Sequence, residues 1–264
     1  MLDIREVIFA DIVEKHFYAQ VIVEGNGVLS GAKEAVECAK ALDFEFTLHK
    51  KEGQAVLAGE VIADIVASPM AMALAEEKII GKLSKASGIA TATRQAVNLA
   101  DGKIRIVAGA WKKMPEECKD MVRQAVTAGG AVFRITDNPM IYLDKNFIKM
   151  LNGIPTALQT VVKFSEYDKV VQIKGDLPID VETKQAIDGG CTIFMVDTGK
   201  LADLDICLDT LRSANVRQDV KVAFAGGIKI DQISSLTNKD IDVFCVGKEI
   251  IDAPLLDMRL DVVK

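Results

Sequence analysis

The sequence predicts an α/β protein in two parts, a glycine-punctuated β-rich portion followed by a parallel α/β barrel. From about residue 20 to 70 short β-like runs alternate with glycines, whereas after Asp101-Gly102 apolar strands alternate with helix-length segments. Strands that are apolar throughout belong to parallel sheets covered on both faces. A further observation chooses among such sheets. No Gly-x-Gly-x-x-Gly follows a first strand, and several strands end in Gly109, Asp197, Gly226-Gly227 or Gly247. That is the pattern of a closed barrel of about six strands, with its chemistry at their carboxyl ends.

The elements follow in order. AQVIVEGNGVLSG alternates and then turns, GAKEAVECAKAL is helical, and KEGQAVLAGEVIADIVASP reads as two short strands joined at Gly59. From Pro69 the chain is helical until Asp101-Gly102 breaks it. Inside that helix Ser87-Gly88-Ile89-Ala90-Thr91-Ala92-Thr93 hold little side-chain volume, although Gly88 and the β-branched residues are poor helix formers. Next come IRIVAG as a strand, MPEECKDMVRQAVTAGG as a helix with Pro115 near its first turn, and AVFRIT as a strand. KVVQIKG leads through Pro178 into the helix DVETKQAIDGG, and TIFMVDTG, DVKVAFAGG and DIDVFCVG complete the series. The expected domains are 1–101 and 102–264, with a C-terminal tail able to pack back on the first.

Composition narrows the function. The 264 residues suffice for one large domain or two modest ones, and 32 basic against 38 acidic residues give a net charge of −6. No basic cluster with interleaved aromatics is present, so nucleic acid is not an expected partner. No apolar run reaches the roughly 18 residues of a membrane span, and MLDIREVIFADIVEKHF lacks the layout of a signal peptide. The five cysteines, Cys38, Cys118, Cys191, Cys207 and Cys245, are scattered through apolar segments and read as free thiols in a reducing cytoplasm. His16 and His49 give little support to histidine catalysis or a histidine-rich metal site.

Two strand ends carry the chemical signal. In VAFAGGIKIDQI and DVFCVGKEI an apolar strand runs into glycine and then into helix-forming sequence. Such a turn lets backbone N–H groups approach a phosphate, and Lys248 adds a charge. Strand-to-helix turns also need glycine for its own sake, but two consecutive ones favour phosphate. Asp197, closing IFMVD, is either a helix N-cap or a contact to metal or ribose.

From about residue 20 onward the chain resembles the quinolinate phosphoribosyltransferase family. The resemblance rests on KEGQAVLAGEVIADI, ALAEEKIIGKL, SGIATATRQAV, AGGAVFR, FMVDT, FAGGI and DVFCVG in that order, SGIATAT being the most specific. It implies an N-terminal α/β sandwich joined to an incomplete α/β barrel, and a homodimer, or a higher oligomer built on it, whose partner closes the active site. The narrow stretch 87–93 is then expected to pack closely where domains or subunits meet, a structural rather than a catalytic role. Family enzymes join quinolinate to phosphoribosyl pyrophosphate with magnesium, losing pyrophosphate and carbon dioxide.

The family's site is lined with cations because guanidinium and ammonium groups hold carboxylates and phosphates. This sequence keeps part of that set. Glu76 is retained, but Glu77 replaces the arginine after it. Ala110-Trp111-Lys112-Lys113 stands opposite Thr-Arg-Lys-Thr, and Val132-Phe133-Arg134 opposite Asn-His-Arg. Asp144-Lys145-Asn146-Phe147 exchanges the charges of Lys-Asp-Asn-His, and Gln172 and Lys174 occupy the Glu-Val-Glu-Val-Asp strand. Asp197, Gly226 and Gly227 match, while Thr198 replaces asparagine and Ala223-Phe224-Ala225 replace a glutamate and serines.

The resemblance thus implies catalytic Lys112, Arg134 and Asp197, with Asp197 on Mg2+. It implies substrate contacts from Glu76, Trp111, Phe133, Lys145, Gln172 and Lys174. Gly226, Gly227, Gly247 and Lys248 would hold phosphate. The expected activity is transfer of phosphoribose from phosphoribosyl pyrophosphate to an aromatic nitrogen base in NAD biosynthesis, poorly to quinolinate because Glu77 repels an acid. Trp111 and Phe133 offer apolar, stackable surface instead. The alternative is a catalytically inactive paralogue that binds a phosphorylated or nucleotide-like ligand.

Overall fold

The structure, a computed structural model, describes residues 3–263. It contains two compact units. One comprises the chain to Gln95 together with Trp111–Ala131 and the segment from Ile250; the other comprises Ala96–Ala110 and Val132–Glu249. Asp101 and Gly102, both at positive φ, do end the long helix, but the division between units falls earlier, inside that helix.

The first unit starts with a short helix, α1 (Ile4–Ile8), capped by Asp3. Its main sheet holds β1 (Phe17–Val23), β3 (Glu45–Leu48), β5 (Val61–Ala67) and the last strand, β12 (Met258–Val262), in the antiparallel order β12-β1-β5-β3. A small ladder pairs β2 (Gly27–Val28) with β4 (Ala55–Val56). Along β1 the buried residues Ala19, Val21 and Val23 alternate with half-exposed ones, so one face of the sheet is covered. Ala35 and Ala39 of α2 (Ala32–Ala41) join that core, as do Ala75, Ile79 and Leu83 of α3 (Pro69–Ala100). The opposite face carries a cross-strand polar set in which Tyr18 Oη donates to Asp64 at 2.7 Å and His49 Nε2 stands 2.9 Å from the same carboxylate. The helix α4 (Glu116–Ala128) follows Pro115, which takes the N-cap position.

The stretch 87–93 continues α3 without a break. Ser87 Oγ accepts from Ser30 N at 2.9 Å, Thr91 Oγ1 accepts from Val28 N at 2.9 Å, and Thr91 and Thr93 donate to carbonyls one turn back. Gly88 faces the backbone of Pro254 and Leu255, and Arg94 donates to the carbonyls of Ala128 and Gly129 that end α4. All these partners lie in the same unit of the same chain. The expectation that this stretch marks a meeting of domains is therefore corrected: within one unit, small side chains let strand, helix end and C-terminal segment approach one helix.

In the second unit six parallel strands, among the described residues, are ordered β6-β11-β10-β9-β8-β7. They are β6 (Arg105–Val107), β7 (Met140–Leu143), β8 (Asp168–Ile173), β9 (Ile193–Asp197), β10 (Lys221–Ala225) and β11 (Val243–Cys245). From β7 onward the helices between them are α5 (Lys145–Met150), α6 (Ile154–Thr160), α7 (Ile179–Asp188), α8 (Leu201–Ser213) and α9 (Ile233–Leu236), and α10 (Lys248–Ile251) follows β11. Val107, Val170, Ile193, Met195, Ala223, Ala225 and Val243 converge in one cluster, so the sheet curls around a shared interior. It is an incomplete barrel. The closed barrel expected from strand spacing is corrected, because β6 and β7 are sheet edges rather than partners.

The segment expected as the strand AVFRIT lies at this seam and forms a single bridge, Val132 to Val107. Val132 and Ile135 both pack on the interior cluster. That spacing of three cannot come from an extended strand, whose faces alternate. Thr136 Oγ1 and Asn138 Nδ2 both bond Asp168, at 2.6 and 3.2 Å, and draw the chain into a turn.

Burial pushes the Cys191 and Cys207 thiols up to about 12 and about 11, so both stay protonated at neutral pH. All five cysteines are free. Among the described residues no helix is long and apolar enough to cross a membrane.

Candidate active site

Period-two geometry builds the site. Val170 on β8 and Ile193 and Met195 on β9 face the interior. Two residues further along each strand direction, Gln172, Lys174 and Asp197 project on that same face beyond the apolar layer. They meet there. Gln172 Nε2 donates to Asp197 Oδ2 at 2.5 Å, and Lys174 Nζ lies 3.4 Å from that oxygen while also donating to the Asp197 carbonyl. Gln172 Oε1 accepts from Lys145 N at 2.7 Å, which ties the cluster to the start of α5. The exchanged charge pair now has a local cause, since Asp144 caps α5 by accepting from Asn146 N and Phe147 N. Asp197 caps nothing: the N-cap of α8 is Lys200.

Glu182 fixes the backbone of the cluster. On the first turn of α7 and 4% exposed, it accepts from the backbone N–H groups of Lys174, Gly175 and Leu177, each at 3.0 Å. Glu182→Ala leaves three part-buried N–H groups without their carboxylate, so a stability loss of about 2–3 kcal/mol is expected. Lys174 is released with them. Urea denaturation measures the first effect, and anion titration of the folded variant the second.

Lys174 borders two cavities. One, of about 320 Å³, is also lined by Lys145, Ile148, Lys149 and Ile154. The other, of about 710 Å³, is lined by Pro178, Thr198, Lys200 and Ile206. Tyr142, on the interior face of β7, has its phenol pushed well above the usual tyrosine range by burial, with Cys245 and the Asp197 and Asp144 carboxylates adding to the shift.

The glycine turns stand at the ends of adjacent strands β10 and β11. Gly226, at φ +112°, packs backbone to backbone on Gly199, whose N–H donates to Ala225 O at 2.9 Å. Gly227, at φ +86°, is exposed, and among the described residues a β-carbon there meets nothing within 4 Å. Gly247 abuts Ala110, and Lys248 is exposed on the first turn of α10. The α-helices after both turns are four residues long, the first entered through a 3-10 turn at Ile230–Gln232. The expected helix-dipole contribution is correspondingly small.

Arg134 is exposed and donates to Asn138 O at 3.2 Å, and Phe133 is half-buried at the seam. Glu76, Trp111 and Lys112 belong to the first unit. There Glu76 is exposed on α3, and the Trp111 ring is covered by the Arg123 guanidinium at 4.2 Å. Glu77 pairs with Arg5 at 3.1 Å.

The residues about Asp197 do not suit a divalent cation. Among the described residues no three histidine, cysteine or acidic side chains gather. A magnesium ion needs few protein ligands, but the carboxylate oxygen here already serves the Gln172 amide and an ammonium group. A second cation at that oxygen would be repelled by the first.

Residues 89–261 match the family model for the C-terminal domain of quinolinate phosphoribosyl transferase, and residues 4–87 match that for its N-terminal domain. The chain belongs to the quinolinate phosphoribosyl transferase family. That family is one of pentosyltransferases. A probable nicotinate-nucleotide pyrophosphorylase (carboxylating) of Methanothermobacter thermautotrophicus is 26% identical over 250 residues, 92% of this chain and 88% of the relative. One from Bacillus subtilis is 25% identical over 256 residues, covering 94% and 84%. The crystal structure of nicotinate-nucleotide pyrophosphorylase from Pyrococcus furiosus superposes with a TM-score of 0.85 at 20% identity, over 99% of this chain and 74% of that one. This last likeness is one of fold. The sandwich and incomplete barrel are thus those of the quinolinate phosphoribosyl transferase family.

Sequence reasoning missed Gly199, Glu182 and Tyr142. Gly199 stands two residues after Asp197, where a strand-end glycine is a readable turn signal. Glu182 had the weaker signal of an acid in the first turn after Pro178. Tyr142 had none.

Proposed function

We propose that the chain transfers phosphoribose from phosphoribosyl pyrophosphate to an aromatic nitrogen base less acidic than quinolinate. The observation that carries this is the Gln172, Lys174 and Asp197 cluster at the strand ends beside two glycine turns, in a chain of a phosphoribosyl transferase family. Displacement at the anomeric carbon passes through an oxocarbenium-like state, and negative charge builds on the departing diphosphate. Lys174 and the N–H groups at Gly226-Gly227 and Gly247-Lys248 supply fixed positive ends for that charge. Asp197, held by Gln172, supplies the negative charge that favours the cationic ribose. Lys112 and Arg134 are the further cations of the reading, and the working form is a cytoplasmic homodimer.

Poor use of quinolinate follows from the lost cations. Glu77 is an acid paired with Arg5, and Trp111 stacks on Arg123 instead of offering a guanidinium of its own. The variant Glu77→Arg, Trp111→Arg, Phe133→His is expected to bind quinolinate at least about tenfold more tightly, since each restored guanidinium adds a charge-assisted contact. Calorimetric titration checks this, with steady-state assay of the unaltered protein beside it. Brisk turnover of quinolinate by the unaltered chain refutes the substrate reading. Binding of phosphoribosyl pyrophosphate with no base ever turned over favours the inactive paralogue.

A further inference from the structure

We propose that Lys174 takes the place of a divalent cation beside Asp197, so that this chain binds the diphosphate of its donor without a metal ion. The inference rests on the phosphoribosyl transfer reading and sharpens it. The side chain of residue 174 reaches from the end of β8 to the carboxylate that closes β9, 3.4 Å from Oδ2, and bonds the Asp197 backbone carbonyl as well. Gln172 holds the same oxygen at 2.5 Å. Asp197 Oδ2 is therefore already engaged by an amide and an ammonium group, and the carboxylate orients that ammonium.

The backbone of residue 174 is itself pinned by buried Glu182. An ammonium so fixed is pre-organised in the manner of a bound ion, because its position does not have to be found when the anion arrives. Its surroundings suit an anion. Lys145 and Lys149 share the cavity that Lys174 borders, and the acid there, Glu182, is spent on three backbone N–H groups. Asp176, the other acid of that cavity, stands 3.6 Å from Lys149. A lysine carries less charge than Mg2+, and the turn N–H groups at Gly227 and Gly247 make up part of the difference.

The experiment titrates the full chain with inorganic pyrophosphate by calorimetry, once in EDTA and once in excess Mg2+, and follows Mn2+ binding by electron paramagnetic resonance. Affinities agreeing within about twofold in the two buffers, with Mn2+ remaining free, are expected. Lys174→Met, folded by circular dichroism, should weaken pyrophosphate in EDTA at least about tenfold. Lys174→Glu should restore a paired-acid site, take up Mn2+, and bind pyrophosphate only with metal. Pyrophosphate binding by the unaltered protein that requires Mg2+, or stoichiometric Mn2+ uptake, overturns the inference and leaves phosphoribosyl transfer standing. Undiminished binding by Lys174→Met overturns it in the same way. No pyrophosphate binding in either buffer overturns both.

Discussion

Gly88→Ala is expected to destabilise the fold by about 3 kcal/mol, although alanine is the better helix former. Two effects of opposite sign compete. Helix propensity alone would stabilise the variant by up to about 1 kcal/mol. Against it, a β-carbon at Gly88 collides with the Pro254 carbonyl oxygen and stands 3.2 Å from Leu255 Cα. Both are backbone, so no side-chain rotation relieves the clash. Nor can the segment easily retreat: Leu256 N donates to Ser84 O at 3.1 Å, Lys85 Nζ donates to Ala253 O at 2.8 Å, and Leu256 lies in the core. Overpacking wins. Gly81→Ala on the same helix is the control. A β-carbon there meets nothing within 4 Å among the described residues, and a gain of about 0.5–1 kcal/mol is expected. Urea midpoints of the two variants should move in opposite directions. Equal midpoints would mean that Pro254 and Leu255 are not seated on α3.

Gly227→Val should abolish binding of a ribose 5-phosphate ligand and leave the protein folded. The added side chain meets no protein atom, so its structural cost is the strain of a β-branched residue at φ +86°, about 1–3 kcal/mol. Its functional cost is larger, because the side chain fills the space that a phosphate must share with the turn N–H groups. Gly226 differs. A β-carbon there collides with the backbone nitrogen of Gly199, so Gly226→Val is expected to damage folding as well. Lys248→Ala removes one exposed charge and should cost binding about 1 kcal/mol. Titration with ribose 5-phosphate or a mononucleotide, with circular dichroism as the folding check, separates the three. A folded Gly227→Val protein that binds as tightly as the unaltered one would remove phosphate from this turn.

The parts of the fold that sequence makes legible are those in which a local signal and the tertiary outcome agree. Gly59 separates β4 from β5, Pro115 begins α4, and the strand ends at Asp197, Gly226 and Gly247 all fall where apolar runs meet turn residues. AVFRIT misleads because its β-branched and aromatic residues favour a strand while Thr136 and Asn138 are drawn to Asp168, a contact that no local pattern shows. The stretch 87–93 is legible as narrow, but its partners Ser30 and Pro254 lie far along the chain in either direction. In the site, period two already puts Gln172 and Lys174 on one face. That Lys174 would bond Asp197 depends on the register of β8 against β9, which is a fact of the sheet and not of either strand.

The pairing of β12 with β1 bears on how the chain is made. β1 is made before every other described strand, yet its neighbour on one side is the last of them. Until that strand arrives, β1 presents a row of unpaired N–H and C=O groups, and Leu256 and Met258 are missing from the core beneath it. The sheet of the first unit therefore cannot be finished until every strand of the parallel sheet has been made. A nascent chain of this protein carries an open β edge from the making of β1 to the making of β12, which is when capture by a chaperone, or by another copy's β12, has its best opportunity.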